Sequence, residues 1–231
     1  MSTATASPPR RPSRRRTPLG RALTALGVVL VLVGVGMLGY VGWQYFGTNI
    51  VSKQQQAEIR DDLVKSWASP DAEEADIPGR AIGLLRVPRF GDDEVPIVRG
   101  VDDRSLARGV GWFPDSARPG DVGNVAIAGH RVTHGEPFRD FLELRKGDKV
   151  EIETRTHIFT YRLRDDGTDR ELDFSESWVL DPVPERPGSK PTERLLTMVT
   201  CSELFHTDER SVVFGELVSS VAKEPADTLT P

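Results

Sequence analysis

The feature that most constrains this chain is an uncharged apolar segment near its N-terminus. Residues 22–46, ALTALGVVLVLVGVGMLGYVGWQYF, hold no charged side chain over roughly 25 positions. At about 1.5 Å per helical residue, such a segment crosses a hydrocarbon core of about 30 Å. A secretory signal typically has an apolar region of about 7 to 15 residues that ends at small side chains, whereas this one ends in Trp43, Tyr45 and Phe46. The segment therefore predicts an uncleaved transmembrane helix, assigned to residues 20–47.

The charges that flank this segment predict its orientation. Six arginines precede it: Arg10, Arg11, Arg14, Arg15, Arg16 and Arg21. Positively charged flanks stay on the cytoplasmic side of a membrane. We therefore expect a single-pass protein of the cell membrane, with residues 1–19 as a disordered basic cytoplasmic tail and the remainder extracytoplasmic.

Charge and cysteine content limit what the exported part can do. The chain holds 30 basic and 35 acidic residues, and six of the basic ones lie in the first 50 residues, which hold no acidic residue. The remainder therefore carries a net charge of about −11, which argues against a nucleic-acid partner. The single cysteine, Cys201, excludes an intramolecular disulfide, so its thiol is either buried or kept for its reactivity.

After the membrane segment the sequence predicts a helical region, then a β-rich region and a short tail. Residues 48–79 predict a helical stalk and a linker, because Ile59, Leu63 and Trp67 recur at i, i+4 spacing before a Pro-rich stretch. This helix is expected to act as a stalk or to pack on the following domain. Residues 80–220 are β-prone, and residues 221–231 predict a C-terminal tail.

Short β-prone runs separated by Gly, Pro and Asp predict seven strands and one helical turn at 137–144. The strands are predicted at residues 81–90, 95–100, 124–131, 149–156, 157–164, 194–201 and 211–218. This number of short strands favours an all-β domain that forms a closed or nearly closed barrel.

Three residues at predicted strand ends are candidates for chemistry. Cys201 ends the run RLLTMVTC, His130 follows the run NVAIAG, and Arg210 precedes SVVFGELV. A cysteine nucleophile needs a base or cation nearby, because the thiolate attacks and a free thiol is mostly protonated at neutral pH. A guanidinium can donate hydrogen bonds to a developing oxyanion. The set suits acyl transfer.

Plainer interpretations remain open at this point. Cys201 alone is more often a packed core residue, and Arg210 is flanked by acidic residues typical of a surface. His206 is an alternative base, since it lies five residues after Cys201. His130 and His134 have the spacing of a zinc pair, but their segment is predicted as strand and loop rather than a ligand-bearing helix, so no metal site is expected.

These motifs resemble those of the sortases, membrane-anchored cysteine transpeptidases of Gram-positive cell envelopes. LLTMVTC is similar to the family's T-L-x-T-C strand, NVAIAGHR to the strand that ends in its catalytic histidine, and ERSVVFGEL to the segment with its catalytic arginine. The anchor, the Thr-rich strand and the basic tail look most like the class E housekeeping sortases.

The resemblance implies a closed eight-stranded sortase-type β-barrel with short helices, one strand more than the runs above predict. It implies that Cys201 cleaves the Thr-Gly bond of an LAXTG- or LPXTG-like sorting signal, with His130 as acid and base and Arg210 on the substrate carbonyl. Thr200 and Arg131, next to these residues, are expected to contact the substrate. The resemblance also implies that the sorting signal belongs to a secreted surface protein and that the acceptor is a cell-wall precursor amine. No cofactor is expected.

A second function class is compatible with the same sequence. A non-catalytic membrane-tethered barrel that binds an envelope peptide or a partner protein would also present these strands, with Cys201 in its core. Such a cysteine resists small alkylating reagents in the native state, whereas a nucleophile reacts with them.

Overall fold

The computed structural model describes residues 18–43, 47–68, 80–201 (at Cys201 the backbone alone) and 208–223. It divides into two compact units, Met1–Trp43 and Gln44–Pro231. Residues 1–17 of the predicted cytoplasmic tail, most of the linker, His206 and residues 224–231 lie outside the described residues, whereas residues 18 and 19 of the predicted tail begin a helix.

The first unit contains helix α1, Pro18–Gly42. Its 25 residues are long and apolar enough to cross a membrane, and it is the one such helix in the part of the chain that the structure describes. The helix begins before the uncharged segment and includes Arg21.

The second unit begins with helix α2, Thr48–Trp67, and continues into a β-sheet domain. One further α-helical turn, α3, spans Asp103–Leu106. The described strands are β1 Ala81–Arg86, β2 Glu94–Arg99, β3 Val110–Trp112, β4 Gly123–Ala128, β5 Lys149–Glu153, β6 His157–Leu163, β7 Glu171–Asp173, β8 Arg194–Cys201 and β9 Glu209–Ala222.

Eight of these strands close into a barrel. Their order is β6, β5, β1, β2, β3, β4, β8, β9, and β9 pairs back onto β6 along Leu163 to His157. The short strand β7 adds to the free edge at the beginning of β9. The prediction of a closed eight-stranded barrel of the sortase type is confirmed.

The sequence patterns found seven of the eight barrel strands and missed β3. That strand is only three residues long, contains a glycine and is buried on both faces, so it shows neither length nor alternation. The edge strand β7 was missed because its sequence, ELD, is mostly charged. The predicted helical turn at 137–144 is a single 3-10 turn, Phe141–Glu143.

Two hydrophobic clusters sit on opposite faces of β8. The barrel interior takes alternate residues of the central strands, including Val125, Ile127, Leu196 and Met198, all fully buried. The outer face of β8 and β9 is covered by a second cluster around Val179, which lies in the connection from β7 to β8. Burial on both faces explains why β8 reads as a nearly continuous apolar run.

Candidate active site

Strands β4 and β8 place the candidate catalytic residues at one edge of the barrel. The two strands are parallel neighbours, in register from Gly123 opposite Arg194 to Ala128 opposite Val199. Parallel strands end at the same edge of a sheet, so the segment after β4 meets the end of β8. His130 follows β4 and Cys201 ends β8, and this pairing brings together residues that are far apart in sequence.

Two hydrogen bonds join the strands at this edge. The amide of Gly129 donates to the carbonyl of Val199 at 3.2 Å, and the hydroxyl of Thr200 donates to the carbonyl of Gly129 at 2.8 Å. Thr200 is buried, at 2% exposure. Its hydroxyl, predicted to contact substrate, is in this structure bound to the backbone next to His130.

The third candidate is placed by the antiparallel pair of β8 and β9. Cys201 lies directly opposite Arg210, and Thr200 opposite Ser211. Arg210 is half-buried as a residue, and its Nη1 donates to the carbonyl of Glu209 at 2.9 Å at the exposed end of the side chain. The backbone of Cys201 is thus bordered by Thr200 and, across the sheet, by Arg210.

An acidic side chain lies near Arg210 at this edge. The pKa of the Asp173 carboxyl on β7 is lowered, chiefly by hydrogen bonds from Ser175 and further by the positive charge of Arg210. Asp173 pairs with Glu209 in the sheet, one position from Arg210.

The imidazole of His130 is largely withdrawn from water. Its Nε2 is buried and has no hydrogen-bond partner among the residues that the structure describes. The pKa of His130 is lowered to about 4, chiefly by burial and in addition by the positive charge of a protonated His134, while Asp103 partly opposes them. Over the physiological pH range the ring is therefore neutral, with a nitrogen available as a base.

The imidazole of His134 packs directly against that of His130. The two rings stack with centroids 4.6 Å apart at 28°. Burial also lowers the pKa of His134. The spacing that suggested a zinc pair corresponds here to a stacked pair of rings.

Gly129 shows why the residue before His130 is a glycine. A Cβ there would lie 2.8 to 3.1 Å from three ring carbons of Phe138, which is fully buried. Phe138 in turn donates its amide to the carbonyl of His130 at 3.0 Å. The chain after β4 thus folds back on itself, and residues 129–138 are called the His130 loop below. Arg131, a predicted substrate contact, is half-buried in this loop.

A buried polar cluster behind the site was missed by sequence reasoning. Asn124 of β4 donates through Nδ2 to the carbonyls of Val179 at 3.0 Å and Asp181 at 3.1 Å. Thr197 of β8 shares its hydroxyl between Asn124 Oδ1 at 2.9 Å and the Val179 carbonyl at 3.0 Å. The available signal was a polar residue inside each of two apolar strands.

Comparisons with known proteins agree with this geometry. The model of the family described as "Sortase domain" matches residues 85–218. Sortase SrtE1 of Streptomyces coelicolor is 35% identical over 223 residues, and the match covers 90% of this chain but only 61% of that protein.

Solved structures give the same result. Sortase E from Streptomyces avermitilis has 32% sequence identity and a TM-score of 0.57, over 67% of this chain and 97% of that one. Sortase E1 from Streptomyces coelicolor, solved with a tripeptide in its active site, has 33% identity and a TM-score of 0.55, over 68% of this chain and 98% of that one. Since the family match covers more than half of the sequence and the barrel has the same fold, the chain belongs to the sortase family, a family of transpeptidases.

Proposed function

We propose that this protein is a membrane-anchored cysteine transpeptidase in which Cys201 is the nucleophile, His130 the proton carrier and Arg210 the oxyanion partner. The observation that supports this most directly is the parallel pairing of β4 with β8, sealed by the bond from Thr200 to Gly129. That pairing brings the His130 loop to the end of the strand that carries Cys201, opposite Arg210.

The first half-reaction forms a thioester. The thiol proton of Cys201 passes to the neutral imidazole of His130, and the thiolate attacks the carbonyl carbon of the threonine in a Thr-Gly bond. Arg210 donates to the carbonyl oxygen as negative charge develops there. The C–N bond then breaks, the glycine amine leaves with the proton from His130, and the threonyl group stays on sulfur.

The second half-reaction reverses the proton path. An acceptor amine loses a proton to His130 as its nitrogen attacks the thioester, and the sulfur leaves and regains that proton. The lowered pKa of His130 keeps the imidazole neutral at the start of each half-reaction. It also makes the ring a weaker base, and makes the imidazolium formed in the reaction a stronger acid toward the leaving group.

The substrate and the setting follow from the family resemblance. The donor is an LPXTG- or LAXTG-like sorting signal of a secreted surface protein, and the acceptor is a cell-wall precursor amine. Helix α1 anchors the enzyme in the cell membrane, with the arginine-rich tail in the cytoplasm and the catalytic domain outside. Arg131, half-buried in the His130 loop, contacts the substrate in this proposal, whereas Thr200 supports the site from within through its bond to the Gly129 carbonyl.

Mass spectrometry of the full-length protein after incubation with a panel of sorting-signal peptides tests this proposal. A covalent adduct on Cys201 is expected, and it disappears in Cys201→Ala while the far-UV circular dichroism spectrum is unchanged. Turnover that persists in Cys201→Ala would contradict the assignment. Peptide binding without any adduct would instead fit the non-catalytic barrel.

The identity of the base is tested by a matched pair of variants. His130→Ala is expected to lower kcat/KM by several orders of magnitude, because no other group then carries the proton. His206→Ala is expected to retain activity within a few-fold. The opposite pattern would reassign the base to His206.

A further inference from the structure

Helix α2 is joined to the His130 loop by three hydrogen bonds. Asn49 Oδ1 accepts the amide of Gly135 at 2.9 Å, and Asn49 Nδ2 donates to Glu136 Oε1 at 2.6 Å. Gln56 Nε2 donates to the carbonyl of His134 at 3.0 Å. Three consecutive residues of the loop are therefore each held by a side chain of α2.

Resting on the proposed function of His130, we propose that Asn49 and Gln56 are positioning residues, which hold the His130 loop in the shape that the transpeptidation needs. In this proposal neither Asn49 nor Gln56 contacts the substrate or the reacting atoms. Each acts through the loop, so the segment just after the membrane helix in sequence becomes part of the catalytic apparatus.

The backbone of the loop explains why it needs external support. His134, Gly135 and Glu136 have φ values of 54°, 85° and 54°, three successive residues in the left-handed region. That region is unfavourable for residues with a Cβ, and His134 and Glu136 both have one. A shape of this kind persists only where surrounding contacts enforce it, and α2 supplies a contact to each of the three residues.

The link from α2 to the catalytic ring runs through His134. Its carbonyl is held by Gln56, and its imidazole stacks on that of His130 at 4.6 Å. Gly135 fits closely under the same glutamine, since a Cβ there would lie 2.8 Å from Gln56 Nε2. A shift of Gln56 therefore displaces His134, and with it the surface against which the His130 ring packs.

Helix α2 also contacts the barrel at the end away from the loop. Its buried and half-buried side begins with polar residues and ends with apolar ones: Asn49, Ser52, Gln56, Ile59, Leu63 and Trp67. At its far end the ring of Trp67 lies under Lys223 Nζ at 4.0 Å, and that ammonium also binds Glu153 at the end of β5. With its far end fixed to the barrel, the helix provides a support for the loop.

The run of three glutamines in α2 supplies a matched control. Gln56 is buried, at 8% exposure, whereas Gln54 and Gln55 are exposed. Gln56→Met keeps the length of the side chain but removes the donor to His134, and Gln55→Met makes the same change on the solvent face. In the full-length enzyme, Gln56→Met is expected to lower kcat about fivefold to tenfold with KM for the peptide within twofold. Gln55→Met is expected to match wild type.

A reciprocal exchange tests the contact of Asn49. Asn49→Asp keeps the acceptor for Gly135 but places two carboxylates together at Glu136, so kcat is expected to fall. In the double variant with Glu136→Gln, the new amide at position 136 donates to the new carboxylate at position 49, which reverses the direction of the original hydrogen bond. The value of kcat is then expected to return to within about twofold of wild type. If α2 served only the stability of the fold, kcat of the folded enzyme would not fall in Asn49→Asp.

Amide hydrogen exchange separates the failure of this inference from the failure of the proposed function. Exchange at Gly135 is expected to rise at least tenfold in Asn49→Ala, with β4 unchanged, whether or not the peptide is turned over. If wild type transpeptidates while Gln56→Met and Gln55→Met have equal kcat, the positioning role is wrong. If wild type forms no adduct, the proposed function is wrong, and unchanged exchange at Gly135 would overturn the contact itself.

Discussion

At the scale of single residues, the surroundings of His130 decide its chemistry. The ring has a buried Nε2, a stacked histidine beside it and a pKa lowered to about 4. Taking the charged form of an imidazole out of water costs free energy, and nearby Asp103 only partly offsets that cost. The protein thus keeps this histidine neutral, at the expense of stability in acid.

The pH dependence of stability tests that statement. The unfolded chain protonates His130 near pH 6.5 and the folded chain near pH 4, so the folded state loses stability as pH falls from about 6.5 to about 4. Urea unfolding of wild type and His130→Asn is expected to differ in this window by on the order of 1 to 3 kcal/mol, with wild type losing more. If wild type instead gained stability relative to the variant below pH 6.5, the folded state would favour the charged ring.

Thr200 offers a second test at this scale. Thr200→Val keeps the shape of the side chain but leaves the buried carbonyl of Gly129 without its donor. We expect a loss of about 1 to 2 kcal/mol in the free energy of unfolding, and a lower kcat because Gly129 precedes His130. Thr200→Ser keeps the hydroxyl and is expected to retain more of both, as measured by urea unfolding and peptide turnover. Equal effects of the two variants would contradict a role for the hydroxyl.

At the scale of elements, the connection from β7 to β8 is held to the strands behind the candidate active site. Asn124 and Thr197 lie on adjacent strands and both bind the Val179 carbonyl, where the connection forms a 3-10 turn, Ser177–Leu180. Both side chains are buried, at 1% and 0% exposure. The same cluster therefore fixes the β7–β8 connection and the register of the strands that lead to His130 and Cys201.

Removing this cluster is expected to cost stability. Asn124→Ala removes the amide that donates to the Val179 and Asp181 carbonyls and the oxygen that accepts from Thr197, and we expect a loss of about 3 kcal/mol in the free energy of unfolding. Ser189→Ala, at an exposed position of the same connection, is expected to change it by less than about 0.5 kcal/mol. Chemical denaturation of the full chain measures both. A loss below about 1 kcal/mol for Asn124→Ala would show that the cluster contributes little.

At the scale of the whole molecule, membrane topology and the single cysteine are linked. Helix α1 separates an arginine-rich segment from a catalytic unit of net negative charge, and positively charged flanks set orientation. Because the chain has one cysteine, Cys201→Ala gives a cysteine-free background in which new thiols report topology.

In that background, Ser189→Cys is expected to react with a membrane-impermeant maleimide in intact cells. Ser13→Cys is expected to react only after the cells are permeabilised, because the tail is proposed to be cytoplasmic. Gel shifts of the full-length protein measure both. Labelling of Ser13→Cys in intact cells would reverse the proposed orientation, and a product that lacks residue 13 would show that α1 is cleaved.

The sequence alone determined the features that depend on local pattern. An uncharged apolar run specifies a helix that suits a bilayer, and short β-prone runs bounded by Gly, Pro and Asp specify most of the barrel strands. The motifs around Cys201, His130 and Arg210 were sufficient to identify the family. Strand β3 was not predicted, because three buried residues that include a glycine show no periodic pattern.

Only the tertiary structure decided which distant groups meet. Two of the contacts join segments far apart in the chain: the buried pair of Asn124 and Thr197, and the hydrogen bonds from α2 to the His130 loop. The third, the stacking of His134 on His130, depends on the fold of that loop. The sequence does not distinguish a polar side chain that faces water from one that binds a partner group in the fold. Its role depends on which backbone groups the barrel brings within hydrogen-bonding distance, and local sequence does not encode that proximity.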